Sequence, residues 1–200
     1  MGTAARAIGV VCNAYRPSST ANPLSTGNRF LQLNAAFNAQ DPRFQRAGLP
    51  ANAVWYGICD TAYLEAGDYL VEVSGGRTWL VACLQNMLPA LCILTNMLIT
   101  VTRPQSYVSI GLSAYGGGIT GPATLESFPA SLLHASGNRG AEAIEADAKI
   151  SGAVVLLPQI VGFSPSRGDV ITDSIARNYI VSQAELNELG WRLDVRQAAV

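Results

Sequence analysis

The sequence predicts a mainly β protein: a small β-barrel or sandwich built from two Gly-Asp hairpin units, with a long loop-rich N-terminal arm. Three observations carry this. The first is an internal echo. Gly67-Asp68-Tyr69-Leu70-Val71 leads through a turn to Arg77-Thr78-Trp79-Leu80-Val81, and Gly168-Asp169-Val170-Ile171 leads to Arg177-Asn178-Tyr179-Ile180-Val181. The Gly-to-Arg offset is ten in the first unit and nine in the second. The second is the alternation that begins at Val54, where Val54, Tyr56 and Ile58 interleave with Trp55, Gly57 and Cys59 as along a strand. The third is punctuation: Pro17, Pro23, Pro42 and Pro50, with a Ser/Thr/Asn-rich run between them, interrupt the first fifty residues.

Residues 1–53 read as an extended arm, in which 30–37 is the one stretch whose pattern admits a short helix. Five arginines stand there against Asp41 alone. Separated aromatics and arginines that cannot close a core need another surface. Tyr15, Arg16, Arg29, Phe30, Phe37, Arg43 and Arg46 are therefore candidate interface residues, and removal of the arm is expected to leave the remainder folded. The acidic stretch Asp60, Glu65, Asp68 and Glu72 could meet these arginines within one chain or across an interface.

Residues 54–200 form the expected barrel or sandwich domain, with units at about 54–104 and 152–200 and a loop-rich insertion at 105–151. In the first unit a Ser74-Gly75-Gly76 turn joins two β-rich runs, a hairpin signal. No charged residue occurs from Thr78 to Thr102, a length that would cross a bilayer. Gln85, Asn86, Thr95, Asn96 and Pro89 instead favour a hairpin turning near Asn86–Pro89, with a third strand from near Leu91 to Arg103-Pro104. In the insertion, Gly116-Gly117-Gly118 reads as a loop and 141–148 as a short helix or polar surface. Gly152 to Leu157 reads as a buried strand, and a last run spans Trp191 to Val195.

The echo has a physical content. Glycine permits a tight entry, the aspartate can accept backbone N–H groups in the turn, and the aromatic packs on a neighbouring strand. The residues that define the two hairpins are Gly67, Asp68, Arg77, Trp79, Gly168, Asp169, Arg177, Tyr179 and Trp191. Such a repeat suggests two small barrels or one two-part sandwich.

Composition narrows the function. The 200 residues are 49% hydrophobic and 14% charged, so a core can form. The net charge of −1 argues against a bulk electrostatic grip on nucleic acid. His134 is the single histidine, and Cys12, Cys59, Cys83 and Cys92 form no C-x-x-C pair, so a zinc site is not expected. The thiols read as reduced, in a cytoplasm. There is no G-x-S-x-G, no P-loop and no G-x-G-x-x-G after a strand. Glu142, Glu145 and Asp147 read as a solvated face, not a calcium loop. No catalytic, cofactor-binding or metal-binding residue is predicted.

The C-terminal unit resembles the head-closure, or stopper, proteins of tailed bacteriophage necks, through Gly168, Asp169, Val170, Ile171, Arg177, Tyr179, Val181, Gly190 and Trp191. The first unit looks like the same hairpin, in Gly67, Asp68, Tyr69, Leu70, Arg77, Trp79 and Val81, with a Leu88-Pro89 step. Tyr15-Arg16-Pro17 is similar to a motif near the start of phage structural proteins. The resemblance covers about half of the chain, and the arm and the doubled unit depart from a simple stopper. It implies a virion protein assembled in the bacterial cytoplasm and located in the neck. Such a protein forms a homo-oligomeric ring of six or twelve copies between the portal or its adaptor and a tail protein, with DNA passing through transiently, no enzymatic activity and no membrane. A tail-terminator, tail-tube or baseplate protein is the alternative within the same context. A small β-barrel ligand binder or enzyme is the alternative outside it.

Overall fold

The computed structural model describes residues 2–39, 54–85, 88–104, 124–134 and 152–198. Each β-rich run forms a strand, and the strands close into two six-stranded antiparallel barrels. The first barrel takes β1 (Val10–Tyr15), β2 (Arg29–Ala39), β3 (Val54–Cys59), β4 (Tyr69–Glu72), β5 (Thr78–Cys83) and β6 (Ala90–Leu94). Their order round the barrel is β1-β2-β3-β6-β5-β4, and β4 closes on β1. The second takes β7 (Met97–Thr102), β8 (Thr124–His134), β9 (Gly152–Leu157), β10 (Val170–Asp173), β11 (Asn178–Asn187) and β12 (Gly190–Gln197). Their order is β7-β8-β9-β12-β11-β10, and β10 closes on β7. A helix, α1 (Gly2–Ile8), precedes the first barrel.

The two orders are the same path traced twice, so the duplication extends over the whole barrel and not the hairpin alone. Pairing fixes which residues correspond. Cys12 lies opposite Glu72 and Leu33, as Ile99 lies opposite Asp173 and Phe128. Ala36 lies opposite Ile58, as Ser131 lies opposite Leu156.

The arm is thereby corrected. Residues 10–15 and 29–39 supply two of the first barrel's six strands, and the stretch at 30–37 is strand, not helix. Short-range pattern failed there because β1 and β2, though they pair with each other, are joined by the long connection 16–28 and not by a tight turn, and β1's other partner, β4, is far along the chain. A helix does form, but at Gly2–Ile8. The expected third strand is two. β6 ends the first barrel and β7 opens the second, with only Thr95-Asn96 between. The expected insertion at 105–151 contains β8, a full barrel strand. The hairpin of β4 and β5, the return strand β6, the buried β9 and the closing β12 lie where the sequence put them. Arg43, Arg46, Gly116-Gly117-Gly118, 141–148 and the turn at Asn86 fall outside the described residues.

Two apolar clusters fill the fold. The first barrel holds Cys12, Ala14, Ala35, Cys59, Leu70, Trp79, Val81, Ala90 and Cys92. Trp79 stacks on Phe37 at 4.0 Å between centroids and meets Trp55 edge-on at 5.4 Å. The core is thus three aromatics packed among small side chains. The larger cluster fills the second barrel with residues such as Ile99, Phe128, Val155, Ile171, Tyr179 and Leu193. It also takes in Tyr69, Leu80, Ala82 and Ile93 from the outer face of the first. Those strands are buried on both sides, which is why the run after Thr78 reads as continuously apolar instead of alternating.

The barrels are pinned by polar contacts as well. The Tyr69 hydroxyl donates to the Pro129 carbonyl at 2.8 Å. Asn96 behaves as a surrogate strand residue. Its amide N–H donates to the Ala130 carbonyl, its side-chain oxygen accepts from the Leu132 N–H at 2.8 Å, and its Nδ2 donates to the Leu132 carbonyl at 2.9 Å.

Candidate functional site

Each barrel carries a guanidinium clamp built by the same steps. The first strand ends in Arg-Pro: Arg16-Pro17 after β1, Arg103-Pro104 after β7. The Gly-Asp turn enters the fourth strand of the barrel, with Gly67 at φ +101° and Gly168 at φ +92°, a backbone that glycine adopts without steric cost. The turn carboxylate is buried in both. It caps its own loop: Asp68 Oδ2 accepts from the Glu65 N–H, and Asp169 Oδ2 from the Ser166 N–H, each at 2.8 Å.

The arginine then closes the barrel seam. Arg16 donates Nε to Asp68 Oδ1 at 2.8 Å and an Nη to Oδ2 at 2.9 Å. Arg103 meets Asp169 in the same way at 3.0 and 3.1 Å. Each also donates to a loop carbonyl, of Tyr63 or Ser164. Each lies over an aromatic ring, Arg16 above Phe30 at 4.7 Å and Arg103 above Phe163 at 5.4 Å. The bidentate fork suits a carboxylate's geometry, and the carboxylate hydrogen bond raises both guanidinium pKa values further.

A second pair of clusters sits where β4 turns into β5, and β10 into β11. Glu72 accepts from Arg77 Nε at 3.1 Å and from the Trp79 indole N–H at 2.9 Å. Asp173 accepts from Arg177 Nε at 2.7 Å, from the backbone N–H groups of Arg177 and Ile175, and from the Tyr179 hydroxyl at 3.4 Å. Desolvation pushes the Asp173 carboxyl up, but the hydrogen bonds from Arg177 and Ile175 outweigh it and hold it below the usual carboxylate range. The aromatic that the echo placed, Trp79 or Tyr179, is fully buried in both barrels.

The three buried thiols are inert for a different reason. Burial, aided by Glu72 and Cys59, pushes Cys12 up to about 12. Burial beside Asp60 pushes Cys59 up to about 11, and burial raises Cys92 further. They stay protonated at neutral pH and behave as small apolar side chains. Among the described residues no group of His, Cys, Asp and Glu could hold a metal ion, and no helix is long and apolar enough to cross a membrane.

Among the described residues the arrangement pairs each buried carboxylate, Asp68, Glu72, Asp169 and Asp173, with an arginine. It braces each barrel at two points. Of the predicted interface residues, Arg16 and Phe37 are engaged inside the first barrel, by Asp68 and Trp79, and Tyr15 packs against the larger apolar cluster. The arginine-rich and acidic stretches therefore meet within the chain, at Arg16 with Glu65 and Asp68. Arg29 stays exposed, and Phe30 lies beneath Arg16. Trp191 is half-buried beside the second barrel's core. Sequence reasoning missed that Arg16 and Arg103 are partners of the two aspartates. The signal was present: Arg-Pro occurs twice in the chain, each time at the end of a β-rich run.

A groove of about 550 Å³ lies between α1 and the first barrel and is lined by Arg6, Gln32, Asn34, Asp60 and Tyr63 among others. Comparison with protein-family models, with curated proteins and with solved structures found no match.

Proposed function

We propose that this chain is a structural protein of the tailed-phage head-to-tail connector, a ring-forming neck component through which DNA passes. The observation that carries the reading is the doubled Gly-Asp, Arg-x-aromatic-x-Val hairpin, set each time in a closed six-stranded barrel whose polar groups brace the fold. Rigid small barrels with engaged carboxylates suit a part that acts through its surfaces and not through bond chemistry. Like barrels also join through unlike faces inside the chain, the kind of contact from which rings are built. The near-neutral net charge suits a lumen in which few phosphates are gripped. On this reading the partners are further copies of the chain, the portal or its adaptor on one side and a tail protein on the other. The protein is made in the bacterial cytoplasm and ends in the virion.

The test is quantitative mass spectrometry on purified particles of a phage that encodes the chain, paired with a null mutant. The expected result is six or twelve copies per particle, and DNA-filled heads that fail to join tails without the protein. Absence from particles would overturn the reading. Copies confined to separated tails would move the protein to a tail layer.

A further inference from the structure

We infer that a second copy of this chain docks on the first barrel by repeating the contact that joins the two barrels within one chain, and that it displaces α1 in doing so. The inference rests on the self-assembling reading above and names the faces involved.

The internal contact joins unlike faces of two like barrels. The first barrel contributes Ala66, Gly67, Tyr69, Leu80 and Ala82, and the second contributes Pro129 on β8 and Pro158-Gln159 after β9. A Cβ on Gly67 would lie 3.8 Å from the Pro158 Cβ. A face-to-back contact between repeats does not terminate itself, so it can continue from chain to chain.

Both faces have equivalents that the internal contact does not use. On the second barrel, Arg167, Gly168, Ile180 and Ser182 stand where the first has Ala66, Gly67, Leu80 and Ala82. There a Cβ on Gly168 would meet nothing within 4 Å, and Ile180 is 47% exposed. On the first barrel, Asn34, Ala35 and Asp60 stand where the second has Pro129, Ala130 and Pro158.

That second face is where α1 lies. The chain just after α1 presses on it at Gly9, where a Cβ would overlap the Ala35 carbonyl, and a Cβ on Gly2 would lie 3.5 Å from the Asp60 Cβ. So α1 occupies on the first barrel the position that the first barrel occupies on the second. Its hold is slight. It has seven residues, buries Ala5 alone and has no acidic residue in its first turn. A helix so short does not stand on its own propensity. A whole barrel face offers more apolar area than Ala5 does.

Charge fits the same exchange. Repeating the contact brings Arg167, in place of Ala66, towards Asp60, in place of Pro158. Neither makes an ion pair among the described residues. An arginine therefore faces a carboxylate across the intermolecular joint, where the internal joint has two small apolar residues.

Sedimentation velocity of the full chain over a wide concentration range tests this. Deleting residues 2–8 is expected to strengthen self-association about tenfold or more, which is about 1.4 kcal/mol. Ile180→Glu is expected to abolish it in either background. Arg167→Glu and Asp60→Arg are each expected to weaken it, and an equimolar mixture of those two variants to restore it. Circular dichroism checks that the deletion protein is folded, and the charge pair is read on the full chain. Association indifferent to Ile180→Glu and to the charge pair would overturn these faces while leaving a ring in place. A deletion that weakens association would make α1 part of the contact and overturn the displacement. Monomer under every condition would overturn the ring as well.

Discussion

Glu72 and Asp173 differ by one methylene, and the turns that follow them differ by one residue. The two differences compensate. The longer acid goes with the longer turn, whose Gly75 leaves room for its carboxylate: a Cβ on Gly75 would overlap Glu72 Oε2. The offsets of ten and nine in the echo have this cause, and Gly76 and Ala176 then take matching left-handed conformations at φ +66° and +63°. Trp79 is the residue on which the first barrel's core depends. Trp79→Ala is expected to cost about 3–5 kcal/mol in denaturant unfolding, and a loss below about 1 kcal/mol would mean that the indole is not packed. Trp79→Phe keeps one aromatic ring but loses the other and takes one donor from the Glu72 carboxylate, the lost hydrogen bond alone costing about 1.5–3 kcal/mol. The pH dependence has two limbs. Asp173 titrates below its unfolded value, so its stabilisation is present above the ordinary carboxylate range and is lost as pH falls through the folded value. Cys12 and Cys59 titrate above theirs, so stability is intact below about 8.5 and is lost as pH rises towards about 11 to 12. Urea midpoints at a series of pH values should show both limbs. Asp173→Asn should flatten the acid limb, and Cys59→Ala should reduce the alkaline one.

At the scale of elements, the guanidinium clamps tie the end of each barrel's first strand to the turn before its fourth, across the seam where the barrel closes. Removing the arginine leaves a buried aspartate with a backbone N–H as its remaining strong donor. Arg16→Ala and Arg103→Ala are each expected to cost about 1.5–3 kcal/mol, at the low end where water reaches the exposed guanidinium side. The double variant should be additive, since the clamps share no partner. A sum well short of additivity would mean that the barrels share one seam. The elements legible in the sequence were those whose cause is local. A Gly-Asp entry, a glycine turn and an Arg-x-aromatic return lie within fifteen residues of one another, so β4, β5, β10 and β11 could be read. Strands β1 and β2 could not. They pair with each other across the long connection 16–28 instead of a tight turn, β1's other partner β4 is far along the chain, and the prolines that seemed to break the arm lie outside the two strands. Pro17 and Pro23 are in the connection between them. The clamp was half legible for the same reason. The aspartate's role in its own turn is local chemistry, whereas its arginine is 52 residues away in the first barrel and 66 in the second. One consequence reverses the sequence expectation. Deleting residues 1–50 removes two of six strands and is now expected to unfold the first barrel, as loss of native near-ultraviolet circular dichroism from Trp55 and Trp79.

At the scale of the whole molecule, the question is whether two barrels that repeat one pattern behave as two domains or one. The apolar cluster answers it. Tyr69, Leu80, Ala82 and Ile93 leave the first barrel's outer face and join the second barrel's core, while Trp79, Val81 and Cys92 on the same strands point the other way into their own. Residues β4 to β6 are therefore interior on both faces, and exposing one face would cost roughly 25 cal/mol for each Å² of apolar area. The connection of Thr95 and Asn96 is too short to let the barrels part without breaking the Asn96 bonds to Ala130 and Leu132. One cooperative transition is the expected outcome for the native chain. The thiols make this measurable, because all four cysteines lie in the first barrel's segment of the chain. Thiol labelling thus reports that barrel alone, while far-ultraviolet circular dichroism reports both. In the native protein the buried Cys12, Cys59 and Cys92 should become reactive at the denaturant concentration where the dichroism changes. Leu80→Asp places a carboxylate in the joint, where none of the described residues that line it with Leu80 is a cation. It should pull the two midpoints apart, with thiol exposure coming first because the first barrel's own core is built on alanine and cysteine as much as on its three aromatics. Coincident transitions in that variant would mean that the barrels cooperate through something other than this shared cluster, and non-coincident ones in the native chain would make them independent domains.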